Sequence, residues 1–166
     1  RGNTFNLASS KGTYQLHQDA FAKGDFSVLY RGHLQGADAV SVIAKVALAP
    51  ASNVWLEKEA STLIRFRDAK KGDELSGVAK FVPELLDTFL VENAKRQRFR
   101  VVVMRDLPDM VSITDVIRAY PSGLDPRDAS WIYRRVLAQT LAASMAGVVH
   151  GAMVPDHVLV DPYTHN

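Results

Sequence analysis

Between residues 26 and 104 the chain alternates strand and helix patterns in one order: hairpin, helix, hairpin. Phe26 to Leu34 mixes β-branched and aromatic residues with alternation, and Gln35-Gly36-Ala37-Asp38 carries turn chemistry. Ala39 to Val46 is a second β-rich run, so the two read as a hairpin. After Pro50, Ser52 or Asn53 can cap a helix to about Arg67, with Leu56, Ala60, Leu63, Ile64 and Phe66 at roughly helical spacing. Asp68 to Gly77 is charged and reads as a loop. Strands are expected at about Phe81 to Val91 and Phe99 to Met104, joined by the polar loop Glu92 to Arg98. The class is α+β, an antiparallel sheet with a helix against it.

The flanks add less. Residues 1 to about 13 are small and polar and are expected to form a flexible leader, with strand pattern starting at Tyr14. Leu107-Pro108-Asp109 breaks the second hairpin, and Ser112 can cap a short helix to Tyr120. Asp125-Pro126, an N-cap followed by proline at the first helical position, opens the longest helix, to about Ala146. Trp131, Val136, Leu137, Thr140, Leu141 and Ser144 give it a largely apolar face, and Gly147 can end it. The tail, Val148 to Asn166, is strand-like and turn-rich, and neither a repeat nor a linker interrupts the chain.

Composition narrows the function classes. Twenty basic residues against 18 acidic ones, a net charge of +2, give no global attraction to nucleic acid or an anionic membrane. Cysteine is absent, which removes disulfides, thiolate nucleophiles and the usual structural zinc sites. No apolar run approaches the roughly 20 residues that cross a bilayer as a helix. Arg1-Gly2-Asn3-Thr4 has neither an initiator methionine nor a signal core, so the expectation is an excised piece of a longer chain, cytoplasmic by default.

Four stretches, in order, carry a resemblance. Ala22 to Tyr30 holds Gly24 between Ala22 and Ser27; Val42-Ile43-Ala44-Lys45 ends a strand in lysine; Glu59 lies within the following helix; and Val148 to Asp161 follows the long helix with His150-Gly151 and Pro155. Over roughly residues 14 to 162 this resembles the small lobe and the start of the large lobe of a protein kinase. The family patterns are G-x-G-x-x-G-x-V over the ATP phosphates, V-A-I-K, a helix glutamate pairing that lysine, and H-R-D-L-x-P-x-N. The residues also allow plainer readings: a simple hairpin, a snorkelling lysine, an exposed helix glutamate, a buried histidine before a turn.

The resemblance implies a kinase-like small lobe over 14–104, with a sheet of about five strands and Lys45 paired to Glu59. Residues 105–166 would be the hinge and a truncated large-lobe start. It also implies lost chemistry. The family's base aspartate is Ala152, which cannot accept a proton, and its catalytic-loop lysine is Val154. The magnesium-binding asparagine is His157, whose imidazole suits softer metals, and no D-F-G motif occurs before Asn166. Asp156 and Asp161 fall at positions that would point away from the cleft. No catalytic residue and no metal site are therefore expected.

Were ATP bound, Lys45, Glu59, Gly24, Ser27 and Asp106 would hold it, with Met104 guarding the adenine pocket and Arg105-Asp106-Leu107 as hinge. The expectation is a pseudokinase without cofactor, working through a protein partner, a neighbouring domain or a second copy of itself, with neither nucleic acid nor membrane as partner. The alternative is a nucleotide-binding enzyme of unusual chemistry, using His150, His157 or Asp156. Nucleic-acid binding through Lys95, Arg96, Arg98 and Arg100 is disfavoured, because only Phe99 lies among them as an aromatic.

Overall fold

The computed structural model describes residues 3–36, 40–69, 72–73 and 75–163. Ala37, Asp38 and Ala39 of the expected first turn and strand start, and Lys70, Lys71 and Glu74 of the expected loop, lie outside the described residues. The chain divides into two units, one of Arg1–Asp68 with Pro83–Asp106 and one of Ala69–Val82 with Leu107–Asn166. The expected small lobe over 14–104 thus starts too late, and it includes a segment, Ala69–Val82, that belongs to the other unit.

Among the described residues the first unit is a seven-stranded sheet with one long helix. Its strands are β1 Thr4–Ser9, β2 Gly12–His17, β3 Ala22–Lys23, β4 Ser27–Leu34, β5 Val40–Ala47, β6 Leu85–Glu92 and β7 Arg98–Arg105. Their order is β1-β2-β4-β5-β7-β6, with β3 on β4, and every pair is antiparallel. After a short turn of 3-10 helix at Pro50–Ser52, helix α1 spans Asn53–Asp68.

Three expectations need correcting, the first being the count of about five strands, which β1 and the two-residue β3 raise to seven among the described residues. The loose leader is instead a hairpin, with Thr4↔His17 to Ser9↔Gly12 in register. Phe5 and Leu7 are its only large apolar residues before the turn, and they pack against the core from β1. Two residues of alternation are too short a signal to read as a strand. The expected strand from Phe81 begins at Leu85, because Pro83 has no amide to donate to a ladder; the preceding residues form a short helix, α2, at Ser76–Ala79.

Side chains alternate across each strand, so the sheet has two faces. On the inner one lie Tyr14, Leu16, Val42, Ala44, Val101 and Val103, all essentially inaccessible, with Phe5, Leu7, Tyr30 and Phe89 packed around them. Burial of a valine or leucine side chain contributes about 1.5–3 kcal/mol, which makes this cluster the main source of stability in the unit. The outer face receives α1, whose Leu56, Ala60, Leu63 and Phe66 are buried. Asn53 fixes the start of α1: its Nδ2 donates to the Arg98 carbonyl (2.9 Å) and its Oδ1 accepts from the Arg100 amide (2.7 Å).

The sheet curls until its ends meet. In strand order β2 and β6 are far apart, yet the Tyr14 and Ser9 hydroxyls of the first hairpin both donate to the Asp87 carboxylate of β6, and Lys11 Nζ donates to the Leu86 carbonyl. Tyr14 stacks on Phe89 across the same seam, ring centroids 5.9 Å apart. The curl brings β2 close to β4 at Gly32, where a Cβ would sit 2.1 Å from the Gln15 carbonyl oxygen.

The second unit contains α2, β8 Val111–Ser112, α3 Ile113–Ala119, α4 Pro126–Met145, a 3-10 turn at Pro155–His157 and β9 Leu159–Val160. Ser112 and Asp115 close a reciprocal cap on α3, each side chain accepting from the other's backbone amide. That hydrogen bonding from Ser112, with Arg118 nearby, holds the Asp115 carboxyl below its ordinary value. On α4 the Asp125 cap and Pro126 behave as the sequence implies, but no residue of α4 is buried, its expected apolar face included. Among the described residues no helix is long and apolar enough to cross a membrane.

Candidate functional site

Lys45 lies on β5 opposite Leu29 of β4 and Val102 of β7, on the outer face of the sheet. Glu59, in the second turn of α1, faces the same side. The ammonium reaches both carboxylate oxygens, at 2.8 and 2.9 Å. Lys45 and Glu59 keep 24% and 32% of their side-chain surface exposed, so the pair is shielded without being dry. A half-buried, two-point ion pair of this kind holds the helix in register against the sheet.

Gly24 lies in the tight turn between β3 and β4. Its amide donates to the Ser27 carbonyl at 2.9 Å, so that N–H is committed within the turn. A Cβ at this position would meet nothing nearer than 3.9 Å, so close packing does not demand glycine here. Ser27 is buried at the start of β4, opposite Ala47. The turn is fastened at its tip, where the Phe26 ring stacks on Trp55 of α1, centroids 5.1 Å apart.

Asp106 follows β7, its amide bonded to the Ser41 carbonyl. Its carboxylate pairs with Arg31 at 3.5 Å, and the Arg31 guanidinium lies over the Phe21 ring, 4.7 Å from the centroid. Arg31 sits opposite Ile43, two residues before Lys45 and on the same face. The outer face of the sheet near Lys45 therefore carries a guanidinium stacked on Phe21. Met104 is buried opposite Ile43, and Arg105 is paired with Glu84 at 2.5 Å. That contact lowers the Glu84 carboxyl and raises the Arg105 guanidinium from their ordinary values.

The Val148 to Asp161 stretch, expected to match a catalytic loop, lies in the second unit. Gly151 has φ of +64°, a left-handed conformation that favours glycine. Ala152, Val154 and His157 are exposed. The carbonyl of Ala152 lies 2.9 Å from His157 Nδ1, and a carbonyl can only accept, so Nδ1 is the donor of this contact. The His150 and His157 rings lie 6.2 Å apart. Asp161 accepts from the Tyr163 amide, and β9 pairs with β8 ahead of α3. Among the described residues no group of three His, Cys, Asp or Glu side chains is placed to hold a metal.

Lys45 and Glu59 are thus brought together, Asp106 is engaged by Arg31, and Gly24 and Ser27 are tied to each other. The seam of Ser9, Tyr14 and Asp87 went unforeseen, because nothing local in sequence links residues so far apart. An aspartate in the apolar context of Leu85-Leu86-Asp87-Thr88-Phe89 was the one available signal, since a buried carboxylate requires donors. No protein-family model matches the chain, and no curated protein matches it either.

Proposed function

We propose that the chain is a protein-kinase-like domain that does not transfer phosphate and that acts by binding a protein partner or regulating a neighbouring domain. The observation that carries this reading is the Lys45–Glu59 ion pair between a strand ending in lysine and the helix that follows it. It occurs in a chain whose 150–157 stretch holds Ala152, Val154 and His157 where the base, the lysine and the magnesium-binding asparagine would stand. A curled antiparallel sheet with one helix on its outer face supports the small-lobe assignment.

Chemistry supports the loss of transfer. Phosphoryl transfer depends on positioning and electrostatics, and each missing group removes its own contribution, typically orders of magnitude in rate. The committed Gly24 amide and the engaged Asp106 carboxylate further argue against a nucleotide on the Lys45 face. Retaining the ion pair without the chemistry suits a module whose shape is its function.

The test is thermal unfolding of the chain with ATP, with and without Mg²⁺, with Lys45→Ala as control and labelled ATP to follow transfer. The expected result is no saturable rise in melting temperature and no label moved to any acceptor. Label transfer that Lys45→Ala abolishes would overturn the reading. A saturable rise without transfer would keep the module non-catalytic but make it nucleotide-responsive.

A further inference from the structure

The start of α1 turns large apolar side chains outward. Val54 and Trp55 are 49% and 48% exposed, although Leu56 beside them is buried in the sheet contact. Phe26, 45% exposed, lies against Trp55 with its ring tilted by 26°. The Leu48 amide donates to the Phe26 carbonyl, which sets exposed Leu48 at the edge of the same patch. Three separate segments thus hold one outward-facing apolar surface in place. Phe26 is anchored by its ring and its carbonyl, so this is an ordered patch and not a mobile loop tip.

The frame of this patch carries both signs of charge, with Asp25 exposed just before Phe26 and cations on the helix side. Lys58 Nζ lies 4.9 Å above the Trp55 ring. Asn53, beside Val54, grips the β6–β7 hairpin at the Arg98 carbonyl and the Arg100 amide, just past the turn that carries Lys95 and Arg96. Glu57 is taken up by Arg100 and Glu92 by Arg98. Among the described residues, Lys58, Lys95 and Arg96 have no acidic partner. Aromatic anchors inside a charged rim are the anatomy of a protein-recognition surface.

We propose that this surface is a docking site for an acidic protein segment that carries an aromatic or aliphatic anchor, the anchor seating on Phe26 and Trp55 and the acids reaching Lys58, Lys95 and Arg96. The proposal deepens the reading of a non-catalytic interaction module and rests on it for the kind of partner. A nucleic acid fits less well: the Trp55 ring is already stacked by Phe26 and approached by the Lys58 ammonium, which leaves it less open to stacking by a base than to edge contact with an apolar side chain. A second copy fits less well too, because a two-fold contact would set the same cations against one another.

The test is titration of the chain with a short synthetic peptide of glutamates around a phenylalanine–leucine pair, followed by amide and indole NMR shifts. Two control peptides replace the apolar pair by alanines or the glutamates by glutamines. Expected are saturable shifts centred on Phe26, Trp55 and Lys58, weakened by salt and weaker with either control. Trp55→Ala should lower the affinity on the order of tenfold or more, and Lys58→Glu should lower it with the anchor intact. Both positions are exposed, so dispersed spectra should show both variants folded. Shifts that are absent, centred elsewhere or equal with the alanine control would overturn the proposal. So would tighter binding of a single-stranded oligonucleotide, or self-association in sedimentation that Trp55→Ala abolishes. Phosphate transfer is measured separately, so a failed peptide titration leaves the non-catalytic reading standing, and label transfer removes that reading whatever the peptide does.

Discussion

The Tyr14 hydroxyl donates to the Asp87 carboxylate at 3.1 Å, across 73 residues of sequence and from the opposite end of the sheet. Ser9 donates to the same oxygen at 2.6 Å, and the Thr88 amide donates to the other at 2.8 Å. These bonds turn an open sheet into a curled one. They also let a carboxylate sit at the inner face, where an unsatisfied charge would cost several kcal/mol.

Tyr14→Phe removes one donor from a buried acceptor and keeps the ring. Hydrogen bonds to charged groups contribute about 1.5–3 kcal/mol, and Ser9 and Thr88 still serve Asp87, so a loss of about 1–2 kcal/mol is expected in urea unfolding. The pH dependence has a definite direction. Burial, then the Asp87 charge, then its hydrogen bond push the Tyr14 phenol from 10.0 up to about 12. The fold keeps the protonated phenol, so this contribution is complete below pH 10 and fades as pH rises from there to about 12. A tyrosinate absorbance titration should show a late-ionising step that is absent in Tyr14→Phe. A titration curve with the same late step in Tyr14→Phe, or with none in the parent, would mean that the seam is not formed.

Gly32→Ala should be far more damaging than a surface glycine change. The new methyl would lie 2.1 Å from the Gln15 carbonyl oxygen and 2.8 Å from the Leu16 Cα, both backbone atoms of β2. Backbone cannot give way as a flexible side chain can, so β2 must separate from β4. Overpacking of this kind costs about 1–3 kcal/mol or more. Chemical denaturation of Gly32→Ala against Gly77→Ala, where nothing lies within 4 Å, measures the contrast. Equal midpoints would mean that the close approach is not real.

The Lys45–Glu59 pair is best measured by a double-mutant cycle with Lys45→Met and Glu59→Gln. Partial exposure screens it, so a coupling of about 1 kcal/mol is expected and not the several kcal/mol of a dry pair. A coupling within error of zero would make the contact incidental, and it would remove the main support for the kinase-like reading.

Local chemistry made the central hairpins, α1 and the capped α4 legible in sequence, whereas the Lys45–Glu59 contact was implied only by the kinase resemblance. Each of those elements depends on a strand alternation, a cap or a helical spacing that short windows reveal. Three features were not legible, for one shared reason. The first strand shows only Phe5 and Leu7 as local evidence, and it acquires its place through Asp87, a residue far downstream. Arg31 reads as a strand cation, yet its partner Asp106 lies two strands away in the sheet order. Trp55 stands outside the apolar stripe of α1, and nothing in the helix pattern shows that it meets Phe26, a residue of another segment. Pairings set by sheet curvature are decided by the fold as a whole, which no window of sequence contains.

Gly24→Ala separates the two uses that a glycine could have in the β3–β4 turn. Nothing within 3.9 Å obstructs a methyl, and φ is not in the left-handed region, so the substitution should alter stability by no more than about 1 kcal/mol. A phosphate cradle needs the missing Cβ for a ligand and not for the fold. The decisive measurement is therefore ATP titration of Gly24→Ala beside the parent chain. With the amide already bonded to Ser27, both should show the same flat melting response. A rise in the parent that Gly24→Ala abolishes would mean that the turn opens for phosphate, and that the hydrogen bond closing it is broken by nucleotide.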